Sequence, residues 1–243
     1  MWGHQFKEMQ NLSIIIPVFE EKENIEKLVK YIKINLKIKN YEIIFIDDNS
    51  NDGTEEVLKK LNKKNKRVKY KIRKANIKDL SKSCIVGFNM SKYKNILVMD
   101  GDLQHDPRDI KKIISKFKTE NADMVIGSRN LFNRENKGQP FYRIFTSKIL
   151  ILIISLFLRK KTNDPMSGFF IFKKEIYYKN KKSLYARGYK ILFDLLYSTN
   201  DNIKVFDVDI NFRGRSIGSS KMNLKILYIL ILMIIKKIFS KFS

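Results

Sequence analysis

The chain has 243 residues, 44% of them hydrophobic, so it can bury one good core and carry an appendage. Its single cysteine, Cys84, excludes an intrachain disulfide and points to a reducing compartment. The 49 Lys and Arg outnumber the 25 Asp and Glu, and the net charge of +24 favours anionic partners: nucleic acid, phosphorylated substrates or an anionic membrane surface. The lysines are spread along most predicted helices rather than gathered in one arm, so part of that charge is a solvated surface.

Met1 to Asn11 is polar and runs straight into a strand, without the pattern of a secretory signal. Leu12 to Val18 (LSIIIPV) predicts a buried first strand whose ladder Pro17 should end. Glu20, Glu21 and Glu23 precede a helix with Ile25, Leu28, Val29, Ile32 and Leu36 at helical spacing. Acidic residues there also simply suit the helix dipole. Tyr41 to Ile46 (YEIIFI) is a second buried strand, running into Asp47 and Asp48. A turn at Asp52-Gly53 follows, with Thr54 as the cap of a helix that begins Glu55-Glu56. Two carboxylates at this strand end argue against a phosphate. They leave two readings: acceptors for a base or a ribose, or turn chemistry alone. Val68 to Ile72 predicts a third strand, and Leu80 to Met90 a helix capped by Asp79 or Ser81 with Leu80, Cys84, Ile85 and Phe88 inward. Neither GxGxxG nor GxxxxGK[ST] occurs, which removes the dinucleotide fingerprint and the P-loop.

The most informative stretch is Asn95 to Pro107, NILVMDGDLQHDP. An apolar run, Ile96 to Met99, ends in Asp100, Asp102 and Gln104, spaced two apart. If the chain stays extended, the three side chains share one face. Two carboxylates and an amide oxygen make a hard, oxygen-only set that suits Mg²⁺ or Mn²⁺ rather than zinc. Gly101 between them lets a ligand approach the backbone. Acidic groups repel a diphosphate unless a cation bridges them, so this pattern suggests a metal holding a nucleotide diphosphate. The bland alternative is a solvated acidic turn. Pro107 fits the first turn of a helix to Phe117, and Ala122 to Ile126 predicts a fifth strand ending in Gly127-Ser128-Arg129. Alternating strands and helices make an α/β sheet, parallel at least in its first half. Asp47, Asp48, the DGDLQ group and Arg129 all fall at strand ends, where such sheets bind ligands.

After residue 130 the character changes. Asn130 to Gln139 is polar, and Phe141 to Leu158 is a helix candidate whose apolar run, Ile149 to Leu158, is 10 residues long. A spanning helix needs about 20, so it is a core helix or one lying in a membrane interface beside Arg159, Lys160 and Lys161. Leu224 to Phe242 repeats the theme, closed by Lys236, Lys237 and Lys241. Between them come DPMSGFF (164–170), an apolar run to Phe172, then Arg187-Gly188-Tyr189-Lys190 before another helix. Val205 to Phe212 predicts a last strand with Asp207 and Asp209 on one side. The loop after it holds Arg213, Arg215, Gly218, Ser219, Ser220 and Lys221. That loop reads either as a phosphate clamp or as a flexible charged connector.

With IIPVFEEKENI, IDDNSNDGT, VMDGDLQHDP, IGSR, DPMSGFFIF, RGYK and RSIGSSK in hand, the chain resembles glycosyltransferase family 2, and within it the dolichol-phosphate mannosyltransferase-like enzymes. The matching pieces span about residues 13 to 221. The resemblance implies a GT-A (Rossmann-like) fold with a mainly parallel central sheet and C-terminal amphipathic or interfacial helices. It implies a catalytic domain over 1–222, its nucleotide-sugar half about 1–130 and its acceptor half about 131–222. Residues 223–243 would form an apolar, basic helix able to anchor at a membrane surface. By motif position, Pro17, Phe19, Glu21 and Asp48 would line the nucleoside pocket, with Asp100, Gly101 and Asp102 on the nucleotide sugar. Asp100, Asp102 and Gln104 would hold Mg²⁺ or Mn²⁺. Arg129, Arg143, Ser147, Arg215 and Lys221 would contact the diphosphate or the lipid phosphate. Family members usually have tyrosine at position 19 and asparagine at position 20. Phe19 keeps a ring for stacking but has no hydroxyl for a ribose.

The resemblance further implies a nucleoside-diphosphate sugar donor, GDP-mannose first, and a polyprenyl phosphate acceptor at the cytoplasmic face of a membrane. His4 and His105 are the only histidines, and no Ser/His/Asp or Cys/His set is evident. A phosphate acceptor needs no general base, because its second pKa of about 6 leaves it a dianion near neutrality. Three other readings compete: UDP-glucose as donor, a polysaccharide or glycolipid acceptor, and a basic nucleic-acid-binding protein. No nucleic-acid-binding motif supports the last.

Overall fold

The structure, a computed structural model, describes residues 11–75, 77–129, 162–199 and 202–211. Its elements run in chain order as β1 (Asn11–Val18), α1 (Lys22–Asn35), β2 (Asn40–Asp47), α2 (Thr54–Lys64), β3 (Val68–Ile72), α3 (Leu80–Met90) and β4 (Asn95–Val98). After a 3₁₀ turn, Pro107–Asp109, come α4 (Ile110–Thr119) and β5 (Met124–Arg129). Then follow β6 (Phe170–Lys173), α5 (Lys174–Asn180), α6 (Ile191–Ser198) and β7 (Val205–Ile210).

Among the described residues the strands form one sheet in the order β3-β2-β1-β4-β6-β5-β7. The β1 to β4 strands pair in parallel, and β7 is parallel to β5. Only β6 runs against its neighbours, pairing antiparallel with β4 and β5. Side-chain alternation divides the core in two. Ile14 and Ile16 of β1 pack with Ile25, Leu28 and Ile32 of α1, Leu58 of α2 and Ile113 of α4. Ile15 packs on the other face with Cys84 and Phe88 of α3, Ile176 of α5 and Phe193 of α6. Gly87 is where α3 comes closest, since a Cβ there would lie 2.3 Å from Ile15 Cγ2.

The helices form mainly through what they bury. At α1 no side chain caps the N-terminus. A cap is worth about 1 kcal/mol. Ile25, Leu28, Val29 and Ile32, all buried, are each worth roughly 1.5–3 kcal/mol and decide the outcome.

Three expectations are corrected. Thr54 is the first helical residue of α2, not its cap; Gly53 caps in the left-handed region (φ 90°), because Asp52 Oδ1 holds both Thr54 N and Thr54 Oγ1. β5 begins later than Ala122 and includes Gly127-Ser128-Arg129, because β7 pairs with it as far as Arg129↔Ile210. β7 ends at Ile210, where Asn211 N turns to Asp109 Oδ2 at 2.7 Å.

Candidate active site

The site lies where the strand order reverses. Pairing of β1 with β4 stops at Ile15↔Val98, while pairing with β2 continues to Val18↔Asp47. Ile15 O accepts from Met99 N at 3.1 Å and Val18 O from Asp48 N at 2.9 Å. Odd-numbered residues of β1 therefore point their backbone at β4. Pro17 does not end the β1–β2 ladder. Its missing N–H falls on the β4 side, beyond the last pair, so the strands part there without a stranded donor. The crevice so opened is where open α/β sheets bind ligands.

On the β1–β2 side, Phe19 is half-buried and Lys78 Nζ lies 3.3 Å from its ring centroid. Glu20 is left-handed (φ 55°) and its N donates to Ser50 Oγ at 2.8 Å. Glu21 Oε2 accepts from Asn24 Nδ2 at 2.7 Å. Asp47 is fully buried and bonded to Ser50 N and Oγ; burial nonetheless pushes its carboxyl above the usual range. Asp48 Oδ2 accepts from Asp79 N at 2.6 Å and Oδ1 pairs with Arg73. Both carboxylates are thus engaged in the loops that shape this side of the crevice.

On the β4 side the chain does not stay extended. β4 ends at Val98, and the residues from Gly101 to Leu103 bend, with Leu103 left-handed (φ 59°). Asp102, buried, accepts from Gln104 N through Oδ1 at 3.1 Å, which closes the bend. Asp100, Asp102 and Gln104 therefore follow one another along a bend and not along an extended strand. About a third of the Asp100 side chain (34%) is exposed. Its Oδ2 lies 3.1 Å from Nε2 of His105, a ring 1% exposed. Burial works against the ionised form of Asp100. The His105 hydrogen bond, then the cations Lys190 and Arg129, outweigh it and hold the carboxyl below the usual range.

Gly101 and Gly168 let this turn fit. A Cβ on Gly101 would meet Val18 Cγ1 at 2.6 Å, and one on Gly168 would meet Asp100 Oδ2 at 2.2 Å. Gly168 stands just before β6, whose antiparallel course brings its start to the edge where β4 ends. Asp164, fully buried, takes Arg129 in a fork: Nε to Oδ2 at 2.6 Å and a terminal nitrogen to Oδ1 at 2.8 Å. Lys190 completes the cluster. Burial and then Arg129 lower its pKa to about 8, against the pull of Asp100 and Asp164. The turn before it is held by two buried carboxylates. Asp79, the cap of α3, accepts from Gly188 N (φ 90°) at 3.0 Å, and Asp194 accepts from Tyr185 N and Ala186 N at 3.0 and 2.8 Å.

The structure therefore brings Pro17, Phe19, Glu21, Asp48, Asp100, Gly101, Asp102, Gln104 and Arg129 to the one carboxyl edge of the sheet. Arg143, Ser147, Arg215 and Lys221 lie outside the described residues, as do the helix candidates 141–158 and 224–242. Reasoning from sequence missed Lys190, Asp164, Gly168, His105 and Asp79 as contributors. Four of them stand in or beside the stretches DGDLQHDP, DPMSGFF and RGYK, which carry the signal; the sequence marks Asp79 only as a helix cap.

The donors present fit a hard divalent cation. The carboxylates of Asp100 and Asp102 and the amide of Gln104 offer oxygens, and Gly168, having no side chain, leaves room for the Asp100 carboxylate. Among the described residues no three His, Cys, Asp or Glu side chains come together as a metal-holding group.

Residues 13–180 match the family described as Glycosyl transferase family 2, and the chain belongs to that family. Within it, the chain is similar to the dolichol-phosphate mannosyltransferase of Pyrococcus furiosus, with 37% identity over 219 residues, 89% of this chain and 60% of that one. It thus spans about 60% of that protein's length. It is also 29% identical over 226 residues to the dolichol-phosphate mannosyltransferase of Saccharomyces cerevisiae, 88% of this chain and 82% of that one. Among solved structures, glucosyl-3-phosphoglycerate synthase from Mycobacterium tuberculosis, in complex with Mn²⁺, uridine diphosphate and phosphoglyceric acid, superposes with a TM-score of 0.71 at 18% identity. That match covers 97% of this chain and 79% of the other, and the expected GT-A fold is present. Among the described residues no helix is long and apolar enough to cross a membrane.

Proposed function

We propose that the chain transfers mannose from GDP-mannose to a polyprenyl phosphate at the cytoplasmic face of a membrane, as a peripheral enzyme using Mg²⁺ or Mn²⁺. The observation that carries this reading is the cluster at the parting of β1 and β4. Acidic Asp100, bonded to His105, feels the positive charge of Lys190 and of Arg129, itself forked onto Asp164, which suits a bound anion bridged by a cation. The named activity of the similar Pyrococcus and Saccharomyces proteins supports the choice of donor and acceptor. Residues 1–222 would form the catalytic domain, with 223–243 as the membrane-surface helix.

Pro17, Phe19, Glu21 and Asp48 would line the nucleoside pocket, with the Phe19 ring stacked on the base once Lys78 yields its face. Asp100, Asp102 and Gln104 would hold the cation, which when bound offsets charge on the departing diphosphate. Lys190 and Arg129 add positive charge beside it. Arg143, Ser147, Arg215 and Lys221 would hold the acceptor phosphate. An acceptor phosphate oxygen donates a lone pair to the anomeric carbon as the bond from that carbon to the diphosphate oxygen breaks. The bonding electrons leave with the nucleoside diphosphate, and the configuration inverts. No proton has to be removed, because the acceptor phosphate is already ionised near neutrality. The residues act by positioning and by charge.

Transfer of radiolabel from GDP-mannose and from UDP-glucose to a polyprenyl phosphate, with and without EDTA, tests the reading. Metal-dependent mannosyl transfer is expected. Label arriving only from UDP-glucose would replace the donor, and transfer in EDTA would remove the cation. Asp102→Ala should lower the rate at least about 100-fold, the scale of losing a group that stabilises transition-state charge.

A further inference from the structure

His105 is assigned no role by the reading above, yet it is built into the site. Its ring is 1% exposed and packs on Phe169, with ring centroids 5.2 Å apart. Its Nε2 lies 3.1 Å from Asp100 Oδ2. An ionised carboxylate only accepts, so Nε2 must carry the hydrogen in this contact. The same carboxylate lies against Gly168, where even a methyl group would strike Asp100 Oδ2 at 2.2 Å. The carboxylate is therefore fixed by a donor held in aromatic packing and lies close against bare backbone at Gly168. A partly exposed side chain without such a grip would sample several rotamers, and ordering it on ligand binding costs free energy.

We infer that His105 is a positioning residue for the metal site: it pins Oδ2 of Asp100 so that the remaining carboxylate lone pairs are presented to a divalent cation. This rests on the cation-binding reading given above. Groups that hydrogen-bond a metal ligand in this way typically change metal affinity 10- to 100-fold when removed.

The test compares wild type, His105→Phe and His105→Gln by titrating Mn²⁺ and following free Mn²⁺ by electron paramagnetic resonance, in the presence of GDP or UDP. Phenylalanine preserves the ring against Phe169 and deletes the donor. Glutamine restores an N–H at similar reach. His105→Phe should bind Mn²⁺ at least about 10-fold more weakly, with His105→Gln recovering most of the loss, while the far-UV spectrum is unchanged in both. Equal Mn²⁺ affinity in wild type and His105→Phe, or equal weakening in both variants, would overturn the inference and leave the cation site standing. Absence of Mn²⁺ binding in the wild type would overturn both together. Should His105→Phe fail to fold, the glutamine variant and His105→Asn decide. The shorter asparagine cannot reach Asp100 and should lose affinity where glutamine keeps it.

Discussion

At the scale of single residues, the site depends on two absences as much as on its charges. Gly168 has no Cβ because Asp100 occupies that space, and Pro17 has no N–H where its partner strand has left. Gly168→Ala should therefore move the Asp100 carboxylate and lower transfer on the order of 100-fold, the typical effect of a displacement near 1 Å. Thermal melting should change far less than activity. Comparable losses in both would make Gly168 a folding residue instead. The motif that carried the site in the sequence, DGDLQ, was legible as chemistry but not as geometry. Alternation along an extended strand does not hold there, since Leu103 in the left-handed region and the Asp102–Gln104 bond make a bend. Nothing in the spacing of Asp164 and Arg129 could reveal their pairing, because their contact crosses 35 residues of chain.

At the scale of elements, periodicity was a sound guide. Val68–Ile72 and Leu80–Met90 stand as read, and all five apolar positions of α1 and its end are buried. Ends were less legible where a side chain competes for the backbone, as Asp52 does at α2. The short link between α3 and the turn 186–190 could not be read at all, because Asp79 serves two masters: it caps its own helix and accepts from Gly188 N. Asp79→Ala should cost about 1 kcal/mol for the cap and more for the buried Gly188 N–H left without it, measured as a lower urea midpoint. Gly188→Ala should destabilise as well, since its φ of 90° suits glycine. A wild-type midpoint in either variant would remove this link from the fold's support.

At the scale of the whole molecule, acid stability has a legible source. Glu42 is buried; burial would raise its pKa, but Lys69, Ser13 and Lys92 N more than offset that and lower it. A carboxylate with a depressed folded pKa adds stability above its unfolded value, about 4.3, and that contribution fades as pH falls through the folded value. Wild type should thus lose stability below about pH 4.3 more steeply than Glu42→Gln, which is less stable at pH 7. Parallel curves would deny Glu42 the role. The α/β class and the carboxyl-edge site followed from alternating strands and helices. The insertion of β6 did not, because antiparallel pairing leaves no mark in a four-residue apolar run. That insertion governs how the protein can be cut. Among the described residues β5 pairs only with β6 and β7, both encoded after it. A polypeptide released after Arg129 would carry β5 as an orphan strand and leave the flank of β4 open to any extended chain nearby. The segment ending at Arg129 cannot be expected to survive as a separable module; the later segment is its missing scaffold, and co-expressing the two pieces should rescue solubility that the first lacks alone.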